Sequence, residues 1–201
     1  MCCATVGTDC VENTQSLGEM SDIAILTARG EVAAIKNRCL RNLFAYWDGQ
    51  RGNRPMPSRR DIDPLDLEPS VLPYVLLTEV RHGGQRFYYR LAGTALSNIA
   101  GTQMSGRYID ELVSGRYLEY VESLYRELVT RRRPLYSEST YLSELGEPDR
   151  ITERLMMPLS EDGETVSMVL SGQLFRTPVP LHEARPVFQD GQFREEKRFI
   201  L

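Results

Sequence analysis

Apolar and polar positions change their period several times along this chain, and each change marks an element. From Glu31 to about Gly49, Val32, Ile35, Cys39, Leu43 and Tyr46 recur at helical spacing, and Leu40, Phe44 and Trp47 widen the stripe. The pattern predicts an N-terminal amphipathic helix over 31–50 with more apolar surface than one small sheet needs. Residues 1–30 are polar and aperiodic apart from Ile23–Leu26, and read as a flexible leader. Residues 51–73 hold five prolines, which forbid a long helix or a central strand and make this a connector.

Two β-rich runs follow, Tyr74–Arg81 and Arg86–Ala92, joined at His82, Gly83, Gly84 and Gln85 in a hairpin. In the second run Phe87, Tyr89 and Leu91 share one face, with Tyr88 and Arg90 on the other. Thr94–Ala100 has room for about two helical turns, stopped by Gly101. Arg107–Leu112 predicts a further short helical segment. The whole stretch Arg86–Leu112 therefore reads as a strand running into a glycine-punctuated strap, the kind that closes one side of a small-molecule pocket.

Arg116–Arg132 is a clear helix with Tyr117, Leu118, Val121, Leu124, Tyr125 and Leu128 on its apolar face. Arg131, Arg132 and Arg133 crowd its end, where positive charge offsets the helix dipole, and Pro134 stops it. Three strands complete the pattern. Leu135–Leu142 is the first. Arg150–Leu159 sets Ile151, Leu155, Met157 and Leu159 on one face, and Glu164–Arg176 carries Val166, Met168, Leu170 and Leu174 in phase. Asp162 and Gly163 signal the hairpin between them. The tail, 177–201, ends in Arg198–Leu201, a segment suited to a sheet edge or a neighbouring molecule. The expected fold class is α+β: a five-stranded antiparallel sheet formed within 74–176, with short helices and one long helix gathered on one face, plus the N-terminal helix.

Composition narrows the chemistry. A chain of 201 residues, 41% hydrophobic and 26% charged, buries a core without disulfides or metal. Its formal charge of −4 argues against general attraction to nucleic acid or anionic lipid. No stretch approaches the ~20 apolar residues of a membrane span. The N-terminus lacks a basic region and an apolar run, so the expected location is the cytoplasm. Cys2, Cys3 and Cys10 match no zinc spacing and read as part of an inert tail, while Cys39 falls on the helical stripe and is expected in the core. Arg51, Arg54, Arg59 and Arg60 make a local basic run, either a solvated loop or a dock for an acidic partner or phosphate. Asp61 and Asp63 read as turn caps beside Pro64. No nucleophile with a recognisable base, no phosphate-cradling glycine loop and no metal-ligand spacing is present, so no catalytic residue and no metal ligand is assigned and the chain is read as a non-enzyme.

The order of elements and several local motifs resemble the PAS domain. Asn98, Gly101, the Ser105, Gly106 and Arg107 run and Leu112 match the familiar Asn…Gly…Gly-Arg…Leu pattern. Leu155–Leu159, with Pro158, followed by Asp162 and Gly163, is similar to the last hairpin. More narrowly, Leu43–Trp47, Arg60–Pro64, Arg90–Thr94 and Gly106 with Arg107 resemble a bacterial PAS-like family, common in alphaproteobacteria and formerly catalogued as a domain of unknown function. The resemblance covers about Ile35 to Phe175 and implies a sensing or regulatory role through a pocket or a dimer interface.

It also allows cofactors to be weighed. Light-sensing flavin members carry a reactive Cys in an Asn-Cys-Arg context, whereas all four cysteines here precede the core. Haem-binding members commonly take an axial His on the helical side, whereas His82 sits in a hairpin turn and His182 in the tail. Both observations argue against those cofactors, and no ligand is named. No kinase, cyclase or helix-turn-helix output module fits the remaining residues, which implies a stand-alone regulator signalling by contact. The strap, long helix and inner sheet face are expected to enclose Tyr89, Leu91, Leu96, Ile99, Met104, Tyr117, Val121, Tyr125, Met157 and Met168. These residues suit a mostly apolar ligand with one or two polar groups, or simply fill a core. Val32, Ile35, Leu43, Phe44, Trp47 and Arg90 are the expected homodimer or partner surface, with packing of that helix on the outer sheet face as the alternative.

Overall fold

The computed structural model describes residues 32–142, 148–176 and 193–201. The chain divides into two compact units, Met1–Ala34 and Ile35–Leu201. Of the first, the described residues are 32–34, a single helical turn with Val32 half-buried. Cys2, Cys3 and Cys10, the leader, residues 143–147 and His182 lie outside the described residues.

In the second unit the helical periodicity does not run unbroken from residue 31. Residues 35–37 are non-helical, and α1 spans Arg38–Arg51. Asn37 sets this start: its Oδ1 accepts from the Cys39 and Leu40 backbone N–H groups at 2.9 and 3.5 Å. The connector that follows is a series of 3₁₀ turns. The Asp63 side chain accepts from Leu65 N at 2.9 Å, and Asp61 from Ser58 N at 2.7 Å, so both aspartates cap turns. Tyr46 ties the connector to α1, its hydroxyl accepting from Asp63 N at 2.8 Å.

Among the described residues the sheet is antiparallel, as expected, but has seven strands rather than five. They are β1 (Val75–Arg81), β2 (Arg86–Ala92), β3 (Arg107–Tyr108), β4 (Leu135–Leu142), β5 (Pro148–Leu159), β6 (Met168–Arg176) and β7 (Phe193–Ile200), in the spatial order β3-β2-β1-β6-β5-β4-β7. The extra two are both edges. β3 occupies the start of the expected short helix, where Tyr88 pairs with Tyr108, before a 3₁₀ turn at Ile109–Glu111. β7 comes from the tail: Leu135 pairs with Ile200 and Tyr141 with Phe193, and Leu201 N donates to Pro134 O at 2.8 Å. Two helices complete the unit, α2 (Thr94–Ala100) and α3 (Gly115–Arg131). After α3, Arg132 takes a left-handed cap (φ 56) and Arg133 Nε donates to Leu201 O at 2.9 Å.

Both faces of the central sheet are covered. α1 lies on one face, with Ile35, Leu40, Leu43 and Trp47 essentially inaccessible to solvent. Its seat is Gly172. A Cβ there would stand 2.7 Å from Leu43 Cδ2 and 2.8 Å from Leu40 Cδ2, so with glycine the helix approaches this closely without any shift of the leucines. Trp47 Nε1 donates to Pro158 O at 2.9 Å, which satisfies the indole N–H inside the core. The sequence left two places for this helix, and it packs on its own sheet. Ile35, Leu43 and Trp47 are therefore core residues and not an available dimer surface. Phe44 is half-buried, and Cys39, expected in the core, is only half-buried, with Sγ 3.8 Å from Ser70 Oγ.

Candidate functional site

α2, the strap after it and α3 cover the opposite, inner face. The strap is tied at both ends. At its start Gly93 N donates to Val75 O at 2.8 Å, and a Cβ on Gly93 would meet Pro73 O at 2.2 Å. At its end Ala92 N donates to Ser105 Oγ and Gly106 N to Tyr89 O, both at 2.8 Å. Between these ties, Gly101 is left-handed (φ 67) and closes α2.

Beneath lies a cavity of about 20 Å³. Its walls are Leu76 and Tyr89 from β1 and β2, Leu96, Ile99, Ala100 and Met104 from α2 and the strap, and Val113, Tyr117, Val121, Leu124 and Tyr125 from α3 and the turn before it. The floor is Arg154 and Met156 of β5 with Ser171, Gln173 and Phe175 of β6. Ile99, Gln173 and Phe175 are the partly exposed members of this lining and form the mouth. Such a volume holds about one water molecule, so a larger guest has to displace part of the strap.

Seven of the expected pocket residues line this cavity: Tyr89, Leu96, Ile99, Met104, Tyr117, Val121 and Tyr125. Three do not. Leu91 is 43% exposed. The register shows why: Leu77 pairs with Leu91 but Thr78 with Tyr89, so β2 carries a bulge at Arg90 that turns Leu91 out of phase. Arg90 is exposed too, 3.9 Å from Glu79. Met157 and Met168 fail for a different reason. Met156 faces the cavity, so Met157 and its partner Leu170 face α1, and Met168 shares that outer phase. The apolar phase of β5 and β6 belongs to the helix-covered face, and the mixed polar phase belongs to the cavity.

That reversal hid Arg154. It is 4% exposed, with Nη1 donating to Ser139 Oγ at 3.0 Å and Nη2 to the Tyr117 hydroxyl at 2.6 Å. Its guanidinium also lies 5.9 Å and 5.8 Å from the Tyr117 and Tyr120 ring centres. Burial disfavours its charge, but the surrounding tyrosine oxygens, Tyr117 first, outweigh this and hold its pKa above the ordinary value. Arg154 is thus a permanent cation. The sequence signal was present: an arginine in the middle of a long strand, in phase with Thr152 and Met156.

Burial pushes Tyr89 well above its usual value, and does the same to Tyr125 and Tyr141. Tyr125 shares a buried hydrogen bond with Thr78 Oγ at 2.9 Å. Ser171 Oγ is buried and faces the Tyr125 hydroxyl. Beyond Tyr117 the inner face is a ring cluster of Tyr117, Tyr120, Tyr141 and Phe193, with centroids 5.0–6.3 Å apart. The site offers one cation, several hydroxyls and an apolar wall. Among the described residues no group of three or more His, Cys, Asp or Glu side chains is placed to hold a metal.

The connector arginines are largely engaged within the chain. Arg51 meets Asp48 at 2.6 Å, Arg54 meets Asp61 at 2.8 Å, and Arg59 donates to Ile62 O at 2.8 Å. Among the described residues no helix is long and apolar enough to cross a membrane.

This architecture, a strapped antiparallel sheet with an internal cavity, agrees with comparison to known families. Residues 35–174 match the family model described as PAS domain, and the chain belongs to that family. No protein with a curated description matches. Solved structures that align include a variant of Vivid (15% identity, 66% of this chain and 99% of that one, TM-score 0.40). Another is the photo-excited blue-light photoreceptor Vivid (14% identity, 66% and 94%, TM-score 0.40). A third is a variant of the fungal photoreceptor VVD (15% identity, 66% and 92%, TM-score 0.40). At these values the structural matches add nothing to the family assignment.

Proposed function

We propose that this protein is a PAS-type sensory regulator whose input is a small molecule held in the cavity under the strap. The observation that carries this reading is the cavity itself, walled by the strap on one side and open at Ile99, Gln173 and Phe175. A guest larger than water displaces the segment between the two ties of the strap, which gives the bound and empty forms different surfaces. The output is a contact with a second copy or another protein. Phe44 and Arg90 keep exposed surface and stay candidates for it, while the buried stripe of α1 does not. Native mass spectrometry of the purified chain tests the reading. A retained small molecule, released on denaturation, together with slowed hydrogen exchange across Ile99–Met104, is the expected result. A bare mass and no thermal shift across a broad metabolite panel overturns it.

A second reading, a ligand-free interaction module, is favoured by the small volume of the cavity, which the chain's own side chains nearly fill. Size-exclusion chromatography with light scattering separates the two. A dimer whose affinity is indifferent to every tested small molecule supports the module.

A further inference from the structure

Arg154 is a buried cation for which no carboxylate partner occurs among the described residues. The next residue along the strand shows what a compensated charge looks like in this protein. Glu153, 3% exposed and facing the opposite side, accepts from Arg176 Nε at 2.7 Å and from the Tyr136 hydroxyl at 3.0 Å. Of the five N–H donors of a guanidinium, Arg154 has bonds from one on each Nη. Burying a charge without a partner is costly, and natural proteins retain such a group where something else repays it.

Three further observations locate that something. Arg154 lines the cavity. It pairs across the sheet with Gln173, a residue of the mouth, so the guanidinium lies one strand from the entrance. Ser171, two residues along β6 on the same face, brings a buried hydroxyl to the cavity beside that of Tyr125. Against this polar group stands an apolar wall from Leu96, Val113 and Val121.

We propose that the cavity receives an organic monocarboxylic acid with an apolar body, its carboxylate held by Arg154 with Gln173 and Ser171 and its body against the strap and α3. The inference rests on the cavity being the input site and names the class of molecule that enters it. A guanidinium suits a planar carboxylate because its paired N–H groups match the two oxygens. A neutral isostere leaves the cation unpaired and gains only the apolar contact. The anion would pair with Arg154 without any titration of the protein, because a guanidinium is protonated throughout.

Isothermal titration of the full chain tests this, with octanoate and 4-phenylbutyrate as probes and octanamide and 4-phenylbutyramide as neutral controls. The acids are expected to bind at least about tenfold more tightly than their amides. Arg154→Met is expected to abolish that preference while folding normally, since it exchanges an uncompensated buried charge for an apolar side chain of similar length. Arg154→Lys, which keeps the charge but not the fork, is expected to retain only part of the preference and covers the case in which the methionine variant does not fold. Tight acid binding that is unchanged in both variants overturns the assignment to Arg154. Amides that bind as well as acids overturn the anion site but leave the cavity as an input site. Silence from both probe classes overturns the acid proposal, and the retained-ligand mass measurement then decides separately whether the cavity reading falls with it.

Discussion

The two faces of the central sheet are built to different rules. The outer face under α1 is apolar and closely fitted: Leu40 and Leu43 rest on a glycine, and Trp47 spends its N–H on a backbone carbonyl. The inner face under α2 and α3 mixes Thr78, Ser137, Ser139, Thr152, Arg154 and Ser171 with aromatic rings, and every one of these polar residues is buried. Where polar charge is buried on the outer face, at Glu153, it is matched by Arg176 and Tyr136. On the inner face, at Arg154, the match is incomplete. One face is optimised for cohesion. The other retains unsaturated polarity around a cavity, which is the usual mark of a surface kept for something other than stability.

The largest expected break of this contrast is on the outer face. Trp47→Ala removes a fully packed ring and leaves Pro158 O without its donor, so a loss of about 3–5 kcal/mol is expected in urea unfolding. Were Trp47 part of a dimer surface, stability would hold and only the particle mass would change. Tyr125→Phe on the inner face should cost less, about 1–2 kcal/mol, because it orphans Thr78 while leaving the ring stacked on Phe87 at 4.7 Å. A cost as large as that of Trp47→Ala would mean that the two faces are packed alike. The smallest effect concerns the β5–β6 turn. Asp162 Oδ1 accepts from Thr165 N at 2.7 Å and from Glu164 N and Ser160 Oγ, each at 2.8 Å, and those donors hold its pKa below the ordinary 3.8. A depressed folded-state pKa gives stability that is present in full above the unfolded value and lost as pH falls through the folded one. The melting-temperature gap between wild type and Asp162→Asn should therefore be constant near neutrality and narrow below about pH 4. A gap that is independent of pH would place the turn's stability elsewhere.

Much of the fold was legible because most elements obey one period. α2 spans Thr94–Ala100, as its glycine boundaries indicated, and α3 spans Gly115–Arg131, close to the expected Arg116–Arg132. β2 was read at its full extent, and the C-terminal segment was already suited to a sheet edge. Period alone says nothing about which face is which. With both faces buried, Leu155 and Met157 alternate as cleanly under α1 as they would over a cavity. Nor does alternation reveal the bulge at Arg90 that expels Leu91, since a bulge is a property of pairing and not of one strand. The helical stripe runs through Asn37, so the sequence reading carried the helix past the residue that caps it. Arg154 was missed because the polar phase of β5 was taken as the outside.

Ser171 and Gly172 are consecutive residues of β6. One looks into the cavity and the other is the point on which α1 rests. The wall between the two compartments is thus a single thickness of backbone, with no soft layer to absorb movement. The fit at Gly172 is close, since a methyl group there would meet both leucines and oblige their side chains to shift. The same short stretch of β6 therefore serves both compartments, so a substitution at either residue is felt on both sides of the sheet.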